Sequence, residues 1–286
     1  MNQLKIFVEL SRLNKPIGFM LLFWPCSWGL AYAYSVNQNL SLFLNHLLLF
    51  FLGSVLMRSA GCIINDIVDK DFDVKVLRTK NRPIASKMIS ITQSLVYVVI
   101  LCFLAFLILM QFNFLTIKLG MGSMILAFSY PFMKRFTYWP QLFLGLTFNW
   151  GIIMAWTSMN NNFSFEIMIL YIAAIFWTLG YDTIYGEQDI YDDEIIGLKS
   201  TSIKFKRNIK EFIAISYFIT IFIMFLLFNE NIGINIFTLL ISFFSLSLLF
   251  QIITFNKKSP TKCLKIFKFN NISGSILFFA LLSINL

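Results

Sequence analysis

Apolar stretches of about twenty residues recur along the whole chain, at 17–36, 42–64, 89–110, 112–132, 140–158, 164–184, 211–229, 232–254 and 270–286. Each is long enough to cross a hydrocarbon core about 30 Å thick as a helix. In lipid every backbone polar group must be satisfied internally, so a chain built this way folds as a helical bundle. We therefore expect an all-α, polytopic membrane protein of about nine transmembrane helices, forming a single domain over 1–286. Composition agrees: 58% of the 286 residues are hydrophobic and 13% charged, against roughly 45–50% and about 25% in soluble domains. A soluble enzyme, a secreted disulfide scaffold and a disordered chain are excluded.

The first apolar stretch follows Lys5, Arg12 and Lys15 and carries Ala31-Tyr32-Ala33, which together resemble a signal peptide. Its full transmembrane length and two tryptophans favour an uncleaved first span. No amphipathic, Arg-rich transit segment precedes it, so the expected location is a bacterial inner membrane rather than an organelle. The four cysteines have no paired metal-like spacing and are read as packing residues, and His46 is the only histidine.

Charge sets the orientation. The net charge of +9 does not imply nucleic acid here, because 21 of the 23 Lys and Arg fall in the N-terminal tail and in alternate loops. By the positive-inside rule these loops are cytoplasmic, which puts the N-terminus inside and, after nine spans, the C-terminus outside. Only Arg58 and Lys118 lie within apolar stretches. Lys118 is expected to snorkel, whereas a charge at the depth of Arg58 is costly and marks a function facing the bundle interior.

The acids are more concentrated still. Ten of the 14 sit in two groups: Asp66, Asp69, Asp71 and Asp73, then Asp182, Glu187, Asp189, Asp192, Asp193 and Glu194. Both follow an even-numbered span, within aspartate-rich segments at 65–88 and 182–210. Asn65, Asp69 and Asp73 map onto Tyr185, Asp189 and Asp193 at a constant offset of 120 residues, the mark of an old duplication.

If each group continues its helix, Asn65, Asp66, Asp69 and Asp73 share one face, and Tyr185, Asp189, Asp193, Asp182 and Asp192 share another. Carboxylates so crowded raise one another's pKa unless a cation neutralises them. Hard oxygen ligands beside substrate phosphates suit Mg²⁺. A solvated acidic loop is the plainer alternative, but it does not explain why the pattern recurs at two span ends. Arg78, Lys80, Arg82 and Lys199 lie close by in sequence and could neutralise a diphosphate, unless they serve only orientation. Arg58, seven residues before Asn65 and on the same face, could hold an anionic substrate or a structural ion pair.

The set Lys15-Pro16-Ile17-Gly18, Arg58-Ser59-Ala60-Gly61-Cys62, Asn65-Asp66-x-x-Asp69-x-x-x-Asp73, Arg78-Thr79-x-x-Arg82-Pro83, Tyr130-Pro131-Phe132-Met133-Lys134-Arg135, the run from Tyr181 to Asp193 and Lys199-Ser200-Thr201 resembles the UbiA-type intramembrane prenyltransferases. Within them it is most similar to the 4-hydroxybenzoate polyprenyltransferases of ubiquinone synthesis. Glu187 adds a charge at a position that looks variable, off the metal-facing arc.

The resemblance implies a cytoplasm-facing active-site cavity in which Asn65, Asp66, Asp69, Asp73, Asp189 and Asp193 hold Mg²⁺. Of these, Asp69, Asp73, Asp189 and Asp193 would be catalytic and Asp182 and Asp192 supporting. Arg78, Arg82, Lys134, Lys199 and Tyr185 would bind the diphosphate, and Arg58, with Arg135 as the alternative, the acceptor's carboxylate. The implied reaction moves a polyprenyl group from an allylic polyprenyl diphosphate to 4-hydroxybenzoate, ortho to its hydroxyl, with membrane lipid as surroundings. Dihydroxynaphthoate, a homogentisate-like acid or haem are alternative acceptors. A divalent-cation transporter is a remote alternative, since it would place its acids near the bilayer midplane.

Overall fold

The computed structural model describes residues 3–76 and 79–285, and every regular element among them is helical. A short helix α1 (Gln3–Leu10) precedes α2 (Ile17–Asn37) and α3 (Leu40–Val68), which is followed by the single turn α4 (Lys70–Asp73). Then come α5 (Ile91–Leu109), α6 (Phe114–Phe136), α7 (Pro140–Asn160) and α8 (Phe165–Gly186). Two short helices, α9 (Ile190–Ile196) and α10 (Thr201–Lys204), lead to α11 (Ile209–Leu227), α12 (Ile236–Thr254) and α13 (Pro260–Leu282).

Eight of these helices, from α2 to α12 without the short ones, are long and apolar enough to cross a membrane. Each lies within a few residues of an expected span. The ninth expected span differs, because α13 begins ten residues before the apolar stretch at 270. Its first turns are amphipathic: Cys263, Ile266 and Asn270 are buried, while Lys262, Lys265 and Lys268 are exposed. Lysines three apart read as a loop in the sequence, yet they share one side of a helix.

The core lies where α2, α7, α8 and α13 meet. Trp28 and Trp177 are fully buried with ring centroids 4.8 Å apart, and the Trp28 indole donates to the Gly274 carbonyl at 2.9 Å. Polar side chains tie the outer helices to this core. Trp177 Nε1 donates to Asn270 Oδ1 at 2.9 Å, Asn270 Nδ2 donates to Gln251 Oε1 at 2.9 Å, and Tyr217 donates to the same oxygen at 2.8 Å. One network thus joins α8, α13, α12 and α11, the kind of interhelical bonding that substitutes for hydrophobic drive inside lipid. It also explains two asparagines in the middle of α13, since Asn271 accepts from Trp24 at 2.9 Å.

Close approach of α2 and α7 depends on Gly29, where a Cβ would stand 2.4 Å from the Ile152 carbonyl oxygen. Backbone cannot yield there. Gly29→Ala is expected to lower stability by about 1–3 kcal/mol, measured by urea unfolding in detergent. Gly122→Ala, with no atom within 4 Å of the added carbon, serves as the control and should cause no loss.

Candidate active site

Both acid clusters occur where a long helix stops and a short one starts. The helices do not run on unbroken through the clusters as the sequence pattern predicts. The break falls at Asp69 (φ −94°, ψ 2°) after α3 and at Asp189 (φ −114°, ψ 1°) before α9. These residues are 120 apart, so the inferred duplication extends to backbone conformation. Each kink preserves the spacing, because Asp73 N–H bonds Asp69 O and Asp193 N–H bonds Asp189 O, both at 2.8 Å. The kinked ends line one polar cavity of about 880 Å³ that includes Asn65, Asp66, Asp69, Asp73, Asp189 and Asp193.

The first cluster is buried and charge-balanced by the chain's own cations. Asp66, 2% exposed, accepts from Arg12 Nη2 at 2.6 Å and from Arg82 Nη1 at 3.1 Å. Arg82 also donates to Asp73 at 2.8 Å, and Lys134 pairs with Asp69 Oδ2. Burial pushes the Asp73 carboxyl above the usual range, with the adjacent Arg82 opposing the rise. Asp69 Oδ1 is buried and receives no hydrogen bond. Thus Arg82 and Lys134, read as diphosphate ligands, are placed on the carboxylates, and Asp66 is held by two guanidinium groups.

Other residues fall differently. Lys199 and Tyr185 line the cavity, although the Lys199 ammonium donates to the Phe136 carbonyl at 3.3 Å and the Tyr185 ring packs on Phe267. Arg135 does not line it. Its guanidinium donates to the Val68 carbonyl at 2.8 Å, at the negative end of the α3 dipole, and lies over the Phe72 ring. Asp192 is also outside the cavity lining, whereas Asp182 is within it. Arg78 lies outside the described residues. Glu187 is buried away from the cavity, and burial raises its carboxyl to about 7 against the pull of Lys257 and Lys206.

Sequence reasoning counted Arg12 only as a cytoplasmic positive charge. The structure bends the chain back at this residue, which adopts φ 56°, and inserts its side chain against Asp66. The signal is its place before the Lys15-Pro16-Ile17-Gly18 turn, but which acid it meets depends on helix packing.

Arg58 stands at the floor of the polar cavity. Its guanidinium carbon is 5.3 Å from the Phe148 ring centroid, and its buried Nε receives no partner. Gly18 makes room for it, since a Cβ there would be 2.9 Å from Nε. Arg58, Asn65, Tyr130 and Phe148 also line a second cavity of about 600 Å³, otherwise almost wholly apolar, between α2, α3, α5, α6 and α7. Phe103 and Phe106 of α5 and Met121 and Phe128 of α6 line this second cavity and are exposed. It therefore opens sideways between α5 and α6.

The donor set suits a hard cation, because hard oxygens converge on one cavity and Asp69 offers a buried, unbonded oxygen there. Among the described residues no three Asp, Glu, His or Cys side chains are already drawn together as a metal cluster. Ion pairs hold three of the first cluster's four acids, Asp66, Asp69 and Asp73, instead.

A helical membrane protein with paired acidic helix ends over a lipid-facing apolar cavity is the class that this fold and site define. The chain belongs to the UbiA prenyltransferase family, whose model matches residues 22–273. It is 45% identical over 212 residues to "4-hydroxybenzoate polyprenyltransferase, mitochondrial" of Caenorhabditis elegans, covering 74% of this chain and 59% of that protein. The protein of the same name from Arabidopsis thaliana is 46% identical over 205 residues, 71% of this chain and 50% of the relative. The chain thus spans between half and three-fifths of these relatives' length. Among solved structures, a UbiA homolog from Aeropyrum pernix superposes with a TM-score of 0.76 at 20% identity, covering 91% of this chain and 96% of that one. A homolog from Archaeoglobus fulgidus bound to GPP and Mg²⁺ gives 0.71 at 18% identity, covering 97% and 99%. At these identities the likeness speaks for the fold.

Proposed function

We propose that the chain transfers a polyprenyl group from an allylic polyprenyl diphosphate to the ring carbon ortho to the hydroxyl of 4-hydroxybenzoate, in ubiquinone synthesis. One observation carries this reading: the acidic cavity meets an apolar, lipid-facing cavity at Arg58 and Phe148. A diphosphate fits the first, a long hydrocarbon the second, and the reactive allylic carbon falls between them. The relatives' names supply the acceptor.

Asn65, Asp66, Asp69, Asp73, Asp189 and Asp193 would hold Mg²⁺, as a homolog structure with GPP and Mg²⁺ suggests. Bound there, the metal neutralises charge on the leaving diphosphate. Arg82 and Lys134, paired with Asp66, Asp73 and Asp69, would be free to hold phosphate oxygens if a metal occupied those carboxylates. Tyr185, Lys199 and Arg78 complete the proposed diphosphate set. The apolar walls keep water from the allylic cation. Arg58 is assigned to the acceptor's carboxylate. Arg135, committed to the end of α3, is not.

We place the acid clusters, the basic loops and the N-terminus on the cytoplasmic side of a bacterial inner membrane. A mitochondrial membrane is the alternative favoured by the relatives' names.

The test is incubation of the membrane-embedded protein with labelled 4-hydroxybenzoate, Mg²⁺ and allylic diphosphates of several lengths. Prenylated hydroxybenzoate is the expected product, and EDTA should abolish its formation with recovery on adding Mg²⁺. No product with any donor would overturn the reading, and Mg²⁺ flux into liposomes without prenyl transfer would favour transport.

A further inference from the structure

Below the acidic layer lies a second set of polar groups that the diphosphate does not use. Asp182 on α8 precedes Asp189 by seven residues, as Arg58 on α3 precedes Asn65 by seven. Along α3 that step reaches about 10 Å deeper at 1.5 Å per residue, and Asp182 lies one turn inside the end of α8 at Gly186. Both side chains line the polar cavity, together with Tyr130 and Tyr181, and Arg58 and Tyr130 also line the apolar one. Asp182 is in electrostatic reach of Arg58, and both tyrosines are in reach of the two charges.

Two of these groups, Arg58 Nε and the Tyr181 hydroxyl, are buried and lack the partner that a buried polar atom ordinarily has. Among the described residues Asp182 makes no hydrogen bond or close ion pair, although a cation faces it. Tyr181 is 1% exposed, and its hydroxyl is buried without a partner, as is Arg58 Nε. A stretch of cavity wall that carries a guanidinium, a carboxylate and two phenols is a subsite for a small polar aromatic molecule. The other acids are committed. Asp66, Asp69 and Asp73 are ion-paired with Arg12, Arg82 and Lys134, and Asp189 and Asp193 stand a layer higher. His46, the single histidine, is on α3 twelve residues before Arg58 and is bonded to Ser158.

We propose that Asp182 is the base that takes the proton displaced from the aromatic ring, an assignment that rests on the prenyl-transfer reading. The allylic C–O bond breaks and its electron pair leaves with the diphosphate. A π pair of the ring then forms the new C–C bond at the carbon ortho to the hydroxyl. An oxygen of Asp182 accepts the proton from that carbon, and the C–H pair restores the aromatic sextet. The neutral acid afterwards passes its proton to water through the polar cavity. Arg58 at the carboxylate and Asp182 near the ring edge thereby divide the acceptor between a cation and a base.

The experiment compares wild type, Asp182→Asn and Asp182→Glu as purified full chains in nanodiscs. Turnover is measured with ordinary and with ring-deuterated 4-hydroxybenzoate, and acceptor binding by equilibrium dialysis with EDTA present. Loss of a general base typically costs about 10²–10⁴-fold in rate, so Asp182→Asn should lose that much while binding the acceptor normally. Its residual turnover should acquire a primary deuterium isotope effect larger than that of wild type. Asp182→Glu should regain part of the rate with a smaller isotope effect. Wild-type turnover in Asp182→Asn, or a slow variant with no added isotope effect and weakened acceptor binding, would overturn the assignment and leave Asp182 as a support for Arg58. Should Asp182→Asn not fold, an Asp182→Glu variant that is slow without any added isotope effect overturns it equally. Absence of prenyl transfer by wild type overturns the underlying reading instead.

Discussion

Asp69→Asn and Asp189→Asn should each lower turnover by about 10²–10³-fold, the usual cost of removing a preorganised electrostatic contact from an active site. The two residues sit 120 apart at matching helix breaks and line one cavity. A diphosphate bound with metal between them needs both charges. In the first variant Lys134 loses the carboxylate it now pairs with, so a half-buried cation is left beside a neutral amide. Donor affinity in the presence of Mg²⁺ should fall with rate, while acceptor affinity measured without metal should not. The asparagine keeps the shape and the backbone kink, so a monodisperse, normally melting protein is expected. Retention of more than about a tenth of activity in either variant contradicts the scale of effect expected for a shared site.

The bundle was legible because apolar length is a local property. Each span from α2 to α12 needs only its own residues to be recognised, and α13 was placed late because three lysines on one face resemble a loop. The helix breaks at Asp69 and Asp189 were not legible, since nothing in either run interrupts helical spacing and no proline marks the kink. At the first break the Asp69 carboxylate is buried against Lys134 from α6, a partner far away in sequence.

Cations were the least legible. Twenty-one lysines and arginines share the polar segments, and sequence distance does not say which of them an acid meets. Arg12 reaches Asp66 across 54 positions and Lys134 reaches Asp69 across 65. Arg135, adjacent to Lys134, donates to the Val68 carbonyl at the end of α3 and stands 3.9 Å from the other oxygen of Asp69.

Arg58 was legible because depth isolates it: a guanidinium within an apolar helix has little alternative to facing the interior. The structure adds what it rests on. Phe148 supports the cation from one side, Gly18 leaves the space it fills, and its Nε stays without a bond. A carboxylate entering between the two cavities would complete a two-pronged contact with this planar fork. Removing the charged partner of such a contact in a buried site costs about 2–5 kcal/mol. Arg58→Ala should therefore raise the acceptor KM by more than about tenfold, with the donor KM nearly unchanged, because metal and the upper carboxylates carry the diphosphate. Arg58→Lys keeps the charge but not the fork, so it should recover only part of the loss. The split between the two KM values is the informative quantity. An equal rise for donor and acceptor, or a rise for the donor alone, would assign Arg58 to the diphosphate and leave the acceptor's carboxylate to another group. In that case Tyr130 and Tyr181, which line the same polar cavity and carry hydroxyl donors, are the next residues to change.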